Sequence, residues 1–293
     1  MRIREHTIQL GGLPFRYWES DASTAQPVVL LHALGAGADD WLDSAMALSD
    51  RWRVIALDQR GHGGSARPGS YSFELMRDDL ARFITNLGMV RPVLIGHSMG
   101  GTVAYLYAEE FPDSVRKLVI VDTPPPFPPA SPWPEPEHVP EDVPFDGRVL
   151  VPIIRQLNAP DPAWWAELSK IQIQLLLIGG GSTSTIPQDK LAEVIDRVPS
   201  GRLVTLEGAG HSVRRRRPAE FIALVREFLL PRSGAQPEDP RHRGESDRSE
   251  HPAPPHEAQP EATQQPRGAL RVAPGLPVLP AYELRPARGH DLP

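Results

Sequence analysis

The stretch Pro92-Val-Leu-Ile-Gly-His-Ser-Met-Gly-Gly101 decides how this chain folds. Its apolar residues Val93–Ile95 are typical of a short buried strand, and after Met99 apolar side chains recur every four residues, which predicts a helix. Ser98 therefore lies at a sharp turn from strand to helix. Such a turn brings the two elements so close that positions 96 and 100 require residues without a Cβ atom.

A serine on such a turn has a chemical use. Its hydroxyl can attack a carbonyl group, and backbone N–H groups beside it can hold the oxyanion that forms. The bare Gly-x-Ser-x-Gly pattern is equally compatible with a glycine-rich turn carrying a solvated serine. The predicted strand before Ser98 and the helix after it favour the catalytic interpretation.

Apolar runs and helical patterns alternate over most of the chain. Buried strands are predicted at 28–31, 54–57, 93–96, 118–121, 175–178 and 203–206, after an N-terminal hairpin that turns at Gly11-Gly12. Continuous apolar strands separated by helices indicate an α/β fold with a mostly parallel central sheet and helices on both faces. Ligands of such sheets bind beyond the carboxyl ends of the strands. His32, Asp58, Ser98 and Asp122 each follow a strand, so we expect them to converge there.

Five motifs occur in a characteristic order: His32-Ala-Leu-Gly-Ala-Gly37, Asp58-Gln-Arg-Gly-His-Gly-Gly-Ser65, Gly96-His-Ser-Met-Gly100, Val121-Asp-Thr123 and Gly208-Ala-Gly-His211. With them the chain resembles the α/β-hydrolase fold family, as a serine hydrolase similar to esterases and enol-lactonases. The resemblance covers roughly residues 5–230. It implies a single hydrolase domain over residues 1–230, with a short cap insertion at about 123–170.

A serine hydroxyl needs a neighbouring base, and His211 is the candidate. It lies in the loop between the last predicted strand and the last helix, and a serine, an acid and a histidine in that chain order are typical of the resembled family. The alternative is a loop histidine that caps a helix.

The acid that would orient His211 is open on sequence grounds. Most relatives place it after the strand at 175–178, where this chain reads Gly179-Gly-Gly-Ser-Thr-Ser-Thr185 and holds no carboxylate. Some relatives place it one strand earlier, where this chain has Asp122, which we favour. Asp189 and a site without an acid remain alternatives. The resemblance also implies an oxyanion hole formed by the backbone N–H groups of Leu34 and Met99.

The other basic residues near these motifs have structural interpretations. We expect His97 to point away from Ser98, His62 to shape the pocket wall and His32 to order the oxyanion loop. The run Arg214-Arg-Arg-Arg217 is predicted to be a solvated charge run, with binding of a substrate carboxylate as the alternative. No histidines show ligand spacing on one element, so no metal is predicted, and the reaction needs no cofactor.

Composition excludes several classes of function. A net charge of −6 gives no electrostatic case for binding nucleic acid or an anionic membrane, and the absence of cysteine excludes disulfides and thiolate chemistry. No signal peptide and no apolar run of about 20 residues is found. We therefore expect a cytoplasmic protein that has a small-molecule partner and no membrane or nucleic-acid partner; its oligomeric state is not predicted.

The last 63 residues differ from the rest. Residues 231–293 hold 13 of the 34 prolines and little apolar surface. Because so few apolar groups cannot offset the entropy of ordering the chain, we predict a disordered C-terminal tail.

Together these observations predict a hydrolase that cleaves a carboxylic ester or lactone of a small molecule through an acyl-enzyme on Ser98. Carbon–carbon bond hydrolases and cofactor-free haloperoxidases of the same family carry similar motifs. A non-catalytic, ligand-binding relative is a further alternative, because the usual loop lacks its acid.

Overall fold

The computed structural model describes residues 2–22, 24–141 and 143–230. Within these ranges the strands are β1 (Ile3–Leu10), β2 (Leu13–Ser20), β3 (Pro27–Leu31), β4 (Arg53–Leu57), β5 (Val93–His97), β6 (Lys117–Val121), β7 (Gln174–Gly179) and β8 (Gly201–Thr205). They form one sheet in the order β1-β2-β4-β3-β5-β6-β7-β8. The pairs β1–β2 and β2–β4 are antiparallel and the others are parallel. The predicted tail, 231–293, lies outside the described residues.

The helices of the described ranges are α1 (Leu42–Leu48), α2 (Phe73–Asn86), α3 (Met99–Glu110), α4 (Leu150–Asn158), α5 (Ala163–Ala166), α6 (Gln188–Arg197), α7 (Val213–Arg216) and α8 (Pro218–Leu229). Pro218 occupies the first position of α8, where its missing N–H costs no hydrogen bond. None of these helices is long and apolar enough to cross a bilayer.

Helices cover both faces of the sheet, which confirms the predicted fold class. On β5, Leu94 packs into one apolar cluster, which contains residues of α2, α3, α4 and α6. Its neighbours Val93 and Ile95 pack into the other, which contains residues of α1 and α8. Because successive strand residues point to opposite faces, both of which are covered, the strand reads as a continuous apolar run.

Residues 123–173, between β6 and β7, form an excursion that we call the cap segment. Its first part, which is rich in proline, has no regular structure, and its second part contains α4 and α5. Two tryptophans are tied to the rest of the cap segment. The indole N–H of Trp165 donates to the Pro126 carbonyl (2.9 Å), and the Asn158 side chain bonds both the N–H (2.7 Å) and the carbonyl (2.9 Å) of Trp133.

Candidate active site

Ser98 occupies the turn between β5 and α3 with a backbone conformation that only a special local environment permits. Its φ is 53° and its ψ is −122°, a combination that costs a residue with a Cβ atom about 1–3 kcal/mol. A Cβ at Gly96 would come within 2.3 Å of the Gly100 carbonyl oxygen, and one at Gly100 within 2.4 Å of the Leu31 carbonyl oxygen. Both positions therefore require a residue without a Cβ atom, because α3 packs closely against β5 and β3.

The turn is held from the neighbouring strand β6. The Ser98 N–H donates to the Thr123 hydroxyl oxygen (2.8 Å), and the same hydroxyl donates to the Val121 carbonyl (2.7 Å). The Ser98 carbonyl accepts from the N–H groups of Gly101 (2.8 Å) and Thr102 (3.1 Å) in the first turn of α3. Thr123 therefore fixes the backbone of the candidate nucleophile, although the sequence analysis assigned it no role.

Asp122 and His211 meet beyond the carboxyl ends of the strands. The distance between His211 Nδ1 and Asp122 Oδ2 is 3.0 Å, and the Asp122 side chain is fully buried. Asp122 has a positive φ of 47° and donates its N–H to the Ile178 carbonyl of β7 (2.8 Å). This backbone position brings the Asp122 carboxylate next to His211.

The loop without a carboxylate supplies hydrogen-bond donors to Asp122. Oδ1 accepts from the Gly180 N–H (2.7 Å) and from Gln188 Nε2 (3.1 Å), and Oδ2 accepts from the Ser184 hydroxyl. Burial raises the pKa of Asp122, but the hydrogen bonds from His211 and Ser184 outweigh burial and leave that pKa below its usual value. Asp122 is thus held as a carboxylate.

The rival acid, Asp189, lies elsewhere. It is exposed in the first turn of α6, whereas Asp122 lies within hydrogen-bond distance of His211. Gln188 and Ser184, which the sequence analysis missed, explain how the chain manages without the usual loop acid. Their side chains contact the carboxylate from 62 to 66 positions away in sequence, so no local pattern could reveal them.

The other ring nitrogen of His211 is available for chemistry. Nε2 is buried and has no hydrogen-bond partner within the described residues, and the ring borders the same cavity as Ser98. The His211 carbonyl accepts from His97 Nε2 (2.9 Å), and the two rings lie 4.7 Å apart. His97 does not border the cavity in front of Ser98 and instead contacts the loop of His211, as expected of a structural residue.

Three buried histidines order the surrounding loops. His32 Nδ1 donates to the Ala33 carbonyl (2.8 Å) and Nε2 accepts from the Gln59 N–H (3.0 Å). His62 Nδ1 donates to the Arg60 carbonyl (3.0 Å) and Nε2 accepts from the Gly35 N–H (3.1 Å). Burial lowers the pKa of His32, and burial together with a neighbouring histidine lowers the pKa of both His62 and His97 to about 3. These rings are neutral at physiological pH.

The two candidate oxyanion residues are placed at the same cavity as Ser98. Leu34 and Met99 both border the cavity, and neither backbone N–H has a hydrogen-bond partner within the described residues. The residues on either side of Leu34 are held by hydrogen bonds: the Ala33 carbonyl accepts from His32 Nδ1, and the Gly35 N–H donates to His62 Nε2. Ala33 itself is buried.

The cavity in front of Ser98 is mostly apolar and has a volume of about 290 Å³. The cap segment forms much of its wall, through the prolines at 124–126, Phe127, Trp133, Ile153 and Leu157. Trp164 and Trp165 do not border it; Trp164 packs edge-on against Phe73, with ring centroids 5.6 Å apart. Within the described residues, no group of three or more His, Asp or Glu side chains is placed to hold a metal ion.

The arginine run is not simply solvated. Arg214 and Arg215 both pair with Asp40, and Arg214 is buried with its guanidinium 4.4 Å from the centroid of the Trp41 ring. This side of the run ties α7 to the segment before α1, and none of the four arginines borders the cavity.

Comparison with known proteins agrees with this geometry. A model of the α/β-hydrolase fold matches residues 26–143. A mouse protein, the sn-1-specific diacylglycerol lipase ABHD11, is 31% identical over an alignment that covers 77% of this chain and 88% of that protein. The chain belongs to the α/β-hydrolase family. It is therefore a hydrolase of that type.

Other members of the α/β-hydrolase family show the same overall relation. A putative esterase/lipase of Haemophilus influenzae is 24% identical, over 74% of this chain and 88% of that protein. The solved bromoperoxidase of Bacillus anthracis superposes with a TM-score of 0.67 at 21% identity, over 77% of this chain and 99% of that one. The solved E-2-(acetamidomethylene)succinate hydrolase gives 0.66 at 21% identity, over 78% and 99%. These two structures establish similarity of fold.

Proposed function

We propose that this α/β-hydrolase cleaves a carboxylic ester or lactone of a small molecule through an acyl-enzyme on Ser98. The observation that carries the proposal is the state of His211. Its Nδ1 is 3.0 Å from the buried Asp122 carboxylate, while its Nε2 has no partner within the described residues and borders the same cavity as Ser98. An imidazole held in that way is ready to accept a proton at Nε2.

The first half of the reaction forms the acyl-enzyme. Ser98 Oγ attacks the carbonyl carbon while its proton passes to His211 Nε2, and the carbonyl electron pair moves onto the oxygen. The Leu34 and Met99 N–H groups donate to that oxyanion. When the C=O bond re-forms, the bond to the leaving alkoxide breaks, and the alkoxide takes the proton from His211. Asp122 stabilises the imidazolium between these two transfers.

The second half returns the enzyme to its starting state. A water molecule gives a proton to His211 Nε2 and attacks the acyl carbon. As the new oxyanion collapses, the bond from the acyl carbon to Ser98 Oγ breaks and Oγ takes the proton from His211, which releases the carboxylic acid and restores the Ser98 hydroxyl. Apart from the substrate and the attacking water molecule, every group that takes part in these reaction steps is a side chain or a backbone N–H group of this chain. We favour ester cleavage over the other reactions known in the family because of two relatives that align over 88% of their own length. One is named a diacylglycerol lipase and the other a putative esterase/lipase.

The test measures hydrolysis of 4-nitrophenyl butyrate by the full chain. We expect Ser98→Ala and His211→Ala to abolish turnover, and Ser169→Ala, which changes an exposed serine, to leave it unchanged. Mass spectrometry of the intact protein after a fluorophosphonate should show one adduct in wild type and none in Ser98→Ala. Turnover that survives Ser98→Ala, or an adduct that persists in that variant, refutes the proposal.

A further inference from the structure

The wall of the cavity lacks any full charge that could receive an ionic substrate. Among the described residues that border it, side chains with polar atoms come from Ser98, three threonines, Trp133 and His211, and none is Asp, Glu, Lys or Arg. A carboxylate drawn into such a cavity would lose hydration without gaining a cationic partner, which costs several kcal/mol. The cavity therefore discriminates against charged substrates.

Two cations close to residues of the cavity wall are already paired. Lys190 lies behind the Phe127 ring, 5.6 Å from its centroid, and bonds Glu193 at 2.6 Å. Arg155 of α4 makes two hydrogen bonds of 2.9 Å to Glu135. Neither side chain borders the cavity. A substrate carboxylate would have to compete with these glutamates for them.

The wall is also rigid. Proline fixes φ near −65°, so the backbone of Pro124–Pro126 has little conformational freedom. Hydrogen bonds also hold both ends of residues 126–133: the Trp165 indole bonds the backbone of Pro126, and the Asn158 side chain bonds the backbone of Trp133. Another part of the wall is formed by Ile153 and Leu157, which lie one turn apart on α4 and share one face of it. Ile153 is fully packed, while Leu157 is partly exposed. A wall of this kind sets a sharp limit on length.

The volume gives that limit a scale. A methylene group is close in size to a water molecule, whose share of liquid volume is about 30 Å³. A cavity of about 290 Å³ therefore holds about ten such groups. The carboxyl group and the first atom of the alcohol take about four of these, which leaves space for about six more carbons. The cavity thus holds an acyl chain of up to about seven or eight carbons, and a chain of at least about four carbons is long enough to contact its apolar wall.

Building on the proposed ester hydrolysis, we propose that this cavity is an acyl-chain site for uncharged acyl groups of about four to eight carbons. Leu157, on α4, and the pinned segment set the upper limit. The site selects by exclusion of charge and by length, and makes no specific polar contact with the far end of the chain.

The experiment compares kcat/KM for 4-nitrophenyl esters from acetate to laurate. We expect wild type to peak between butyrate and octanoate and to cleave laurate at least tenfold less well. The mono(4-nitrophenyl) ester of succinic acid, which matches pentanoate in length, should be at least 100-fold worse than pentanoate. Leu157→Phe should lower the octanoate-to-acetate ratio at least tenfold, and Leu157→Ala should move the peak to longer chains.

Val151→Phe is the matched control, because Val151 lies on α4 but does not border the cavity. It should leave the whole profile unchanged. A profile that is highest for acetate or laurate, equal cleavage of the succinate and pentanoate esters, or the same shift in Val151→Phe and Leu157→Phe overturns the acyl-chain site. If the acyl-chain site fails in one of these ways but Ser98→Ala still abolishes turnover, the proposed ester hydrolysis remains supported. If turnover persists in Ser98→Ala, both the proposed function and the acyl-chain site are refuted.

Discussion

Replacing Asp122 by Asn exchanges one carboxylate oxygen for an NH₂ group, and the hydrogen bonds around the side chain decide where that NH₂ lies. Oδ1 accepts from the Gly180 backbone N–H and from Gln188, so an amide nitrogen there would face two donors. At Oδ2 the Ser184 hydroxyl can rotate and accept instead. The amide nitrogen therefore faces His211.

The consequence is the wrong tautomer of His211. An N–H pointing at Nδ1 requires that nitrogen to be an acceptor, so the ring proton moves to Nε2 and His211 cannot take a proton from Ser98. Loss of an equivalent acid in serine proteases lowers kcat about 10⁴-fold, which corresponds to about 5.5 kcal/mol of transition-state stabilisation. Asn tolerates a positive φ well, so the backbone at position 122 (φ 47°) should persist.

We expect Asp122→Asn to lower kcat for 4-nitrophenyl butyrate by about 10⁴-fold with little change in KM or in the circular dichroism spectrum. Asp189→Asn makes the same chemical change at the exposed carboxylate of α6 and should leave kcat unchanged. A loss of less than tenfold in Asp122→Asn, or an equal loss in Asp189→Asn, would show that Asp122 does not orient His211.

Three further predictions concern stability and the oxyanion loop. Burial and the nearby Glu167 raise the pKa of Glu109 to about 8, so the wild-type protein should lose stability as the pH rises from about 4.5 to 8. At pH 9, urea unfolding of Glu109→Gln, which stays neutral, should give a free energy of unfolding about 1–3 kcal/mol higher than that of wild type. Equal free energies of unfolding at that pH would contradict the assignment. Ser98→Gly should relieve the strained φ, raising the free energy of unfolding by about 1 kcal/mol while removing the nucleophile, and a less stable variant would argue against stored strain. His62→Phe removes the acceptor for the Gly35 N–H and should lower kcat about tenfold, an effect that must be absent in the exposed-site control His6→Phe.

The main strands and the nucleophile turn could be predicted from sequence alone, because both depend on local sterics and periodicity. Apolar runs such as Val93–Ile95 report strands buried on both faces. Gly96 and Gly100 indicate that α3 approaches the sheet closely. In the structure a Cβ atom at either position would clash with the backbone, as the spacing predicts. Ser98 and His211 could be named as candidates for the same reason, since their motifs are contiguous.

Only the tertiary structure decided which carboxylate lies against His211 and what surrounds it. Asp122 is 89 residues from His211. Its side chain also accepts hydrogen bonds from Gly180 and Ser184, in the loop that has no acid, and from Gln188 at the start of α6. Such hydrogen bonds depend on how β6 and β7 bring their carboxyl ends together, which no contiguous pattern encodes. The apolar cavity has the same origin: its wall joins a proline run to one face of a helix more than 20 residues away, and their contact exists only once the chain is packed.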